Sequence, residues 1–391
     1  MKMDNIPQDL LTIIQERGGV ILPEHTDPWT RHLISQAKSA IDNQKNIIEA
    51  MYFKNNGLTL HATVFGSLSP EAFSSISSNE KSRGDMLIGI SYGFIFNAAC
   101  LVSLMLARSD MFTEVGDPGM EKADIVLSYI PSNLADSGIH PVQPNCPIRK
   151  AFSVYLFAKF IDSVFFHETA HLIRGHLGLA RENGAAIWTE KDKGTIKLSS
   201  LGRQALEFDA DSGAIEESCN YFFALREQII KGNLSGPNVP ITKALELLNS
   251  DVVRSAKYIF MSMYFPLRMF EVDRWTLELQ APLSHPTSPI RMLFLVYIFS
   301  DSVLSDEFFC FTPEQAKEAV FEWAIECERY YTALQDIEIA PDGLASAWKS
   351  PEASQYIDSI RSEYAKLESL LAPHVIDFSF KRFPAERSER N

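Results

Sequence analysis

The chain has no C-x-x-C pair, and its five cysteines (Cys100, Cys146, Cys219, Cys310 and Cys327) are scattered and odd in number. That argues against a disulfide framework and against a thiolate zinc site, and it fits reduced thiols in a cytoplasmic setting. Base is also scarce: 36 Lys+Arg stand against 50 Asp+Glu, a formal charge of −14. The positive field that phosphate backbones select is therefore missing, so no nucleic-acid partner is expected. Repeats and low-complexity tracts are absent, which argues against a solenoid, and the tail KRFPAERSERN is expected to fray. The opening stretch MKMDNIPQDLLTIIQERGG is short in apolar residues and broken by Gln and Glu, unlike a secretory signal. What remains is ordinary globular composition, 46% apolar and 22% charged over 391 residues, enough to bury a large core without disulfides.

One run departs from this pattern. Residues 86–107 pass without a charge, about 22 residues and long enough to cross a bilayer. Asp85 and Arg108 flank the run, and Gly89 and Gly93 have the spacing of a close helix contact. Ser91, Tyr92, Asn97 and Ser103 lie inside it, and no second clean span follows. The run is therefore read as a buried helix or strand pair, with a membrane helix as the alternative.

Periodicity predicts a helix over 30–54, with Ile34, Ala37, Ile41, Ile48 and Met51 on one face, then a strand in LTLHATVFG, a Ser-rich loop over 74–82 and a strand over 123–130. The Pro-rich connector 141–147 is a plausible boundary. A helix buried on all sides is expected from about 149 to 177, stopping near Gly178. A hairpin over 187–198 follows, then helices over 202–231, 240–250 and 252–280, the last kinked or split at Pro266. Helices return after 283–289 and run to about 370. The class is α+β and predominantly helical, with an N-terminal α/β region over 1–140, a catalytic core over 141–300 and a helical region over 301–391.

The chemistry starts from His167-Glu168-Thr169-Ala170-His171. Positions i and i+4 share one helix face, so two imidazoles can converge on one Zn²⁺, while Glu168 is rotated off that axis and suits a base acting on water. Chance alone produces such a pentapeptide in about one chain in a hundred of this histidine content. His176 sits nine positions beyond His167, about 180° around a continuous helix, and is expected to pack or meet solvent. The metzincin positions for Gly and His are occupied here by Arg174 and Leu177, so that pattern fails.

A third ligand is available downstream. Glu207 and Asp211 share one face of the next long helix, so one can ligate zinc while the other hydrogen-bonds a ligand histidine. Two histidines and one carboxylate leave the fourth zinc position open to water, as a catalytic site needs. Asp209, about 200° from Glu207, is expected to be uninvolved. With Glu216 and Glu217 this helix carries five acids with no base between them, and those not used by zinc could favour a basic substrate surface.

His167 to His171 with Gly175-His176, then Glu207-x-x-Ala210-Asp211, then His285-Pro286 with Arg291, resembles the gluzincin metallopeptidases of the HtpX type. FFHETAHLIRGHL with ALEFDAD also resembles the Lit-type phage-exclusion peptidases, soluble bacterial enzymes that cut a translation elongation factor. The resemblance covers roughly 150–295. It implies a zincin-like core, His167, His171 and Glu207 as zinc ligands, Glu168 as base, Asp211 as the carboxylate behind a ligand, and His285 as a donor to the developing oxyanion. Arg291 either holds Asp211 or touches substrate, and Arg268 and Arg274 are further possible donors without a motif. The expected function is a zinc metalloendopeptidase acting on a protein or peptide, by resemblance a translation factor. The alternatives are a membrane-associated quality-control peptidase anchored by 86–107 and a non-hydrolytic zinc-site binding or sensor protein. The hairpin between the two zinc helices could bind an extended substrate strand by β-augmentation.

Overall fold

Two helices precede the sheet: α1 (Gln8–Glu16) and α2 (Pro28–Ile48). Asp27 starts α2, its carboxylate accepting from the Trp29 and Thr30 N–H groups, with Pro28 in the first turn. Leu33, Ile34, Ala37, Ile41 and Ile48 are buried as the spacing predicts, but Met51 is 53% exposed. A π-helical turn at Glu49–Phe53 adds a residue, which rotates Met51 outward and brings Tyr52 and Phe53 into the core. The computed structural model describes residues 6–21, 26–79, 82, 84–123, 125, 142–182, 187–189, 198–232, 238–249, 251–270, 275–304, 309, 311–335, 343–348 and 350–376. The strand expected over 123–130 falls outside these residues except for Ala123 and Ile125.

The sheet contains β1 (Thr59–Phe65), β2 (Ala72–Ile76), β3 (Asp85–Ser91) and a later strand, β4 (Ile187–Thr189), in the order β1-β3-β2-β4. β1 runs parallel to β3; β2 is antiparallel to both β3 and β4. Side chains alternate across it. Phe65, Phe73 and Leu87 point to α1, against Leu10, Ile13 and Ile14, while Leu60, Ala62, Val64, Ala72, Met86, Ile88 and Ile90 join the main core. The expected Ser-rich loop over 74–82 is therefore half strand: Ser74 and Ser75 are fully buried between two neighbours. Pairing partners distant in sequence overrode the local turn signal. Only the first strand of the expected hairpin, β4, lies in the described residues.

The charge-free run 86–107 divides in two at Ser91. It is β3 followed by α3 (Tyr92–Ala107), and the Ser91 hydroxyl accepts the Phe94 N–H to start the helix. Gly89 and Gly93 thus sit on different elements and form no helix-contact motif. Gly89 pairs with Phe73, whose ring occupies the space a Cβ would need. Among the described residues no helix is long and apolar enough to cross a membrane.

The centre of the molecule is α4 (Pro147–Ile173), packed by α2, α3, the sheet and several later helices. It ends earlier than predicted: Gly175 takes φ +87, and a new helix, α5 (His176–Glu182), leaves in another direction. There follow α6 (Ser200–Ile230), α7 (Val239–Asn249), α8 (Val252–Phe270), α9 (Leu277–Gln280), α10 (Ser288–Ile298), α11 (Pro313–Gln335), α12 (Ala345–Trp348) and α13 (Pro351–Leu371). α8 continues through Pro266 to Phe270. Proline cannot bond the Ser262 carbonyl, and the Ser163 hydroxyl of α4 lies 2.9 Å from that oxygen instead. The result is a predominantly helical α+β fold with a small sheet, in which one apolar core draws on residues from Leu33 to Leu371.

Candidate metal centre

α4 and α6 lie side by side, and their facing turns bring the predicted ligands together. His167 Nε2 and His171 Nε2 are 3.1 Å apart. Glu207 Oε2 lies 3.3 Å from His167 Nε2, and Oε1 lies 3.6 Å from His171 Nε2. A tetrahedral ion with bonds of about 2.0–2.1 Å needs donor separations of about 3.3 Å. Each histidine lies near that distance from one Glu207 oxygen, and all three side chains are buried. His167, His171 and Glu207 form a group able to hold a metal ion.

Charged neighbours surround the ligands. Asp211 Oδ1 lies 2.9 Å from His167 Nδ1, and Arg291 grips both oxygens of Asp211, Nε to Oδ2 at 3.0 Å and Nη2 to Oδ1 at 2.7 Å. Arg291 thus holds Asp211 and also lines the cleft that contains Glu168. Burial opposes a charge on His167, yet Asp211 and Glu207 push its pKa up to about 10. On His171 burial prevails over Glu207 and drives the pKa well below the usual imidazole value. Burial also works against ionised Glu207, but His285 and His171 beside it hold the carboxyl well below its ordinary range. Asp211 is held low against burial by Arg291 and His167. Glu207 and Asp211 are thus held ionised beside the two imidazoles, and one carboxylate with two imidazoles is a donor set that a divalent cation takes.

Glu168 is one residue round α4 from the ligands and, with His167, lines a narrow cleft whose other walls include Met263, Leu267 and Phe270 of α8 and Leu295 of α10. His285 comes from the loop before α10; its Nε2 lies 3.2 Å from Glu207 Oε1, and its Nδ1 is 2.8 Å from the Ser284 hydroxyl. Arg268 points elsewhere: it is buried over the Tyr331 ring and beside Glu328. Arg274 lies outside the described residues. Comparison with protein-family models, curated proteins and solved structures finds no match to this chain.

Two residues set aside on sequence grounds are part of the centre's surroundings. Because α4 stops at Ile173, His176 is not carried round to the far side of a continuous helix. The turn through Gly175 returns it to His171, Nδ1 to Nδ1 at 2.9 Å, fully buried. Asp209 is also buried; its Oδ2 lies 2.9 Å from His176 Nε2, and its Oδ1 accepts from Arg174 at 2.7 Å. Against the cost of burial, Arg174 and His176 hold its pKa down at about 2. The signal that could have revealed this was Gly175, a helix-stop residue three positions before the Gly178 taken as the end. Replacing Gly175 by Ala forces a Cβ into positive φ, 3.0 Å from His374 and from the Leu371 carbonyl. It is expected to cost about 1–2 kcal/mol, read as a lower urea midpoint.

The α6 acids offer no acidic face to a substrate. Glu207, Asp209, Asp211 and Glu217 are buried, Glu216 pairs with Arg174, and Glu217 accepts from the Tyr52 hydroxyl. The basic-surface expectation fails because these charges are neutralised inside the fold.

Proposed function

We propose that this protein is a zinc-dependent endopeptidase with a zincin-like core. The observation that carries the reading is the convergence of His167, His171 and Glu207 next to a cleft whose wall includes Glu168. Zinc fits two imidazoles and one carboxylate, and when bound it makes water more acidic and polarises a carbonyl group. Glu168 takes the proton of the attacking water and later delivers it to the leaving amine. His285, on a loop at the same centre, donates to the oxygen on which negative charge develops. Asp211 and Arg291 keep the His167 ring in place.

Met263, Leu267, Phe270 and Leu295 present apolar surface beside Glu168, which supports an apolar residue next to the scissile bond. The free cysteines Cys100, Cys146, Cys219 and Cys327 support a reducing, cytoplasmic compartment. A soluble bacterial protease of the phage-exclusion or stress type, cutting a protein such as a translation factor, is the reading the motif resemblance favours. The test is a search for new protein termini, by mass spectrometry, in lysate treated with purified protein. With zinc supplied, new termini flanked by apolar residues are expected. With zinc stripped by a chelator they disappear, and their persistence would overturn the reading.

A further inference from the structure

We propose that His176 and Asp209 are positioning residues for the metal ligand His171, in a buried relay running Arg174–Asp209–His176–His171. The proposal rests on His167, His171 and Glu207 binding a metal; it does not depend on the reaction the centre performs.

Hydrogen-bond polarity follows from one end of the relay. A carboxylate only accepts, so His176 Nε2 carries the proton and donates to Asp209 Oδ2 at 2.9 Å. The other nitrogen of a neutral His176 is then a lone pair, and His171 Nδ1–H donates to it at 2.9 Å. A neutral His171 has one ring proton. With that proton on Nδ1, the Nε2 lone pair is left facing His167 and Glu207. The opposite polarity would put hydrogen on His171 Nε2 and block coordination.

The relay is held in place at its far end. Arg174 takes Oδ1 of Asp209 and leaves Oδ2 to His176, and Tyr364 from α13 also bonds this carboxylate. His171, His176 and Asp209 are buried, so water does not compete for these groups. On the other ligand the same device is one ring shorter: Arg291 holds Asp211, and Asp211 meets His167 directly. Each ligand histidine thus has an Arg–Asp pair behind it. On the His171 side His176 stands between the pair and the ring.

The test uses full-length protein, zinc alone as ligand, and competition with a chelator for affinity, together with the visible spectrum of the cobalt-substituted protein. His176→Phe keeps the ring volume and removes both hydrogen bonds; zinc affinity is expected to fall roughly 10–100-fold, with a shifted cobalt spectrum. His176→Asn places an amide oxygen where Nδ1 was, and is expected to stay within a few-fold of wild type. Equal losses in Phe and Asn variants, or no loss in either, would overturn the relay. If the Phe variant does not fold, Asp209→Asn carries the test, with weaker zinc binding and a shifted spectrum expected and unchanged values overturning the proposal. Failure of the wild type to bind zinc would instead refute the metal centre itself.

Discussion

Glu168→Gln is expected to keep its zinc and lose proteolysis. The substitution preserves the length and volume of a side chain that is 2% exposed, and it leaves His167, His171 and Glu207 themselves unchanged. It removes the group that accepts a proton from water and returns it to the leaving amine. General acid–base catalysis is worth roughly 10²–10⁴-fold, and here one carboxylate serves both steps, so a fall in kcat toward the upper end is expected, near 10⁴ or about 5 kcal/mol. Metal content by elemental analysis should match wild type, which separates lost chemistry from a lost centre. Cleavage by the variant at the wild-type rate would refute Glu168 as the base. An unchanged cellular effect without any cleavage would favour the non-hydrolytic alternative.

The largest stability effect is expected at Arg149, at the start of α4. Its guanidinium is fully buried and all five donors are used: Nε to the Leu106 carbonyl, Nη1 to Phe112 and Val115, and Nη2 to Arg108 and Met111, at 2.7–2.9 Å. Phe112 holds a positive φ of 46°, a backbone strain that persists only where surroundings enforce it. Burial lowers the Arg149 pKa, and nearby Glu121, 3.9 Å away, opposes that. Arg149→Met would leave five carbonyls without these donors, at a cost of about 3–5 kcal/mol or more, a large part of the 5–15 kcal/mol typical of folded proteins. Arg149→Lys should recover only part of this, because an ammonium offers three donors at one point. Urea denaturation followed by circular dichroism measures both, and a Met variant with the wild-type midpoint would contradict the assignment.

What was legible in the sequence was whatever depends on short-range periodicity. The i, i+4 spacing of His167 and His171, and of Glu207 and Asp211, places each pair on one helix face whatever the rest of the chain does. Donor chemistry then limits the ion. The same reasoning failed at His176, because a rotation of 100° per residue holds only while the helix continues, and Gly175 ends it. It failed at Met51 for a related reason: one π-helical turn shifts the phase of everything beyond it. Residues 74 and 75 read as loop because their pairing partners, β3 and β4, lie elsewhere in the chain.

The sequence by itself determined which side chains can meet a metal, since helical geometry converts spacing into direction. Only the tertiary structure decided what stands behind them. The acids of α6 could have faced solvent, and packing against α4, α5 and α10 turned them inward, where Arg174, Arg291, His176 and Tyr52 take their charge or their lone pairs. Buried charge must be matched locally. The partners that match it come from segments far apart in sequence, so no local pattern could have named them.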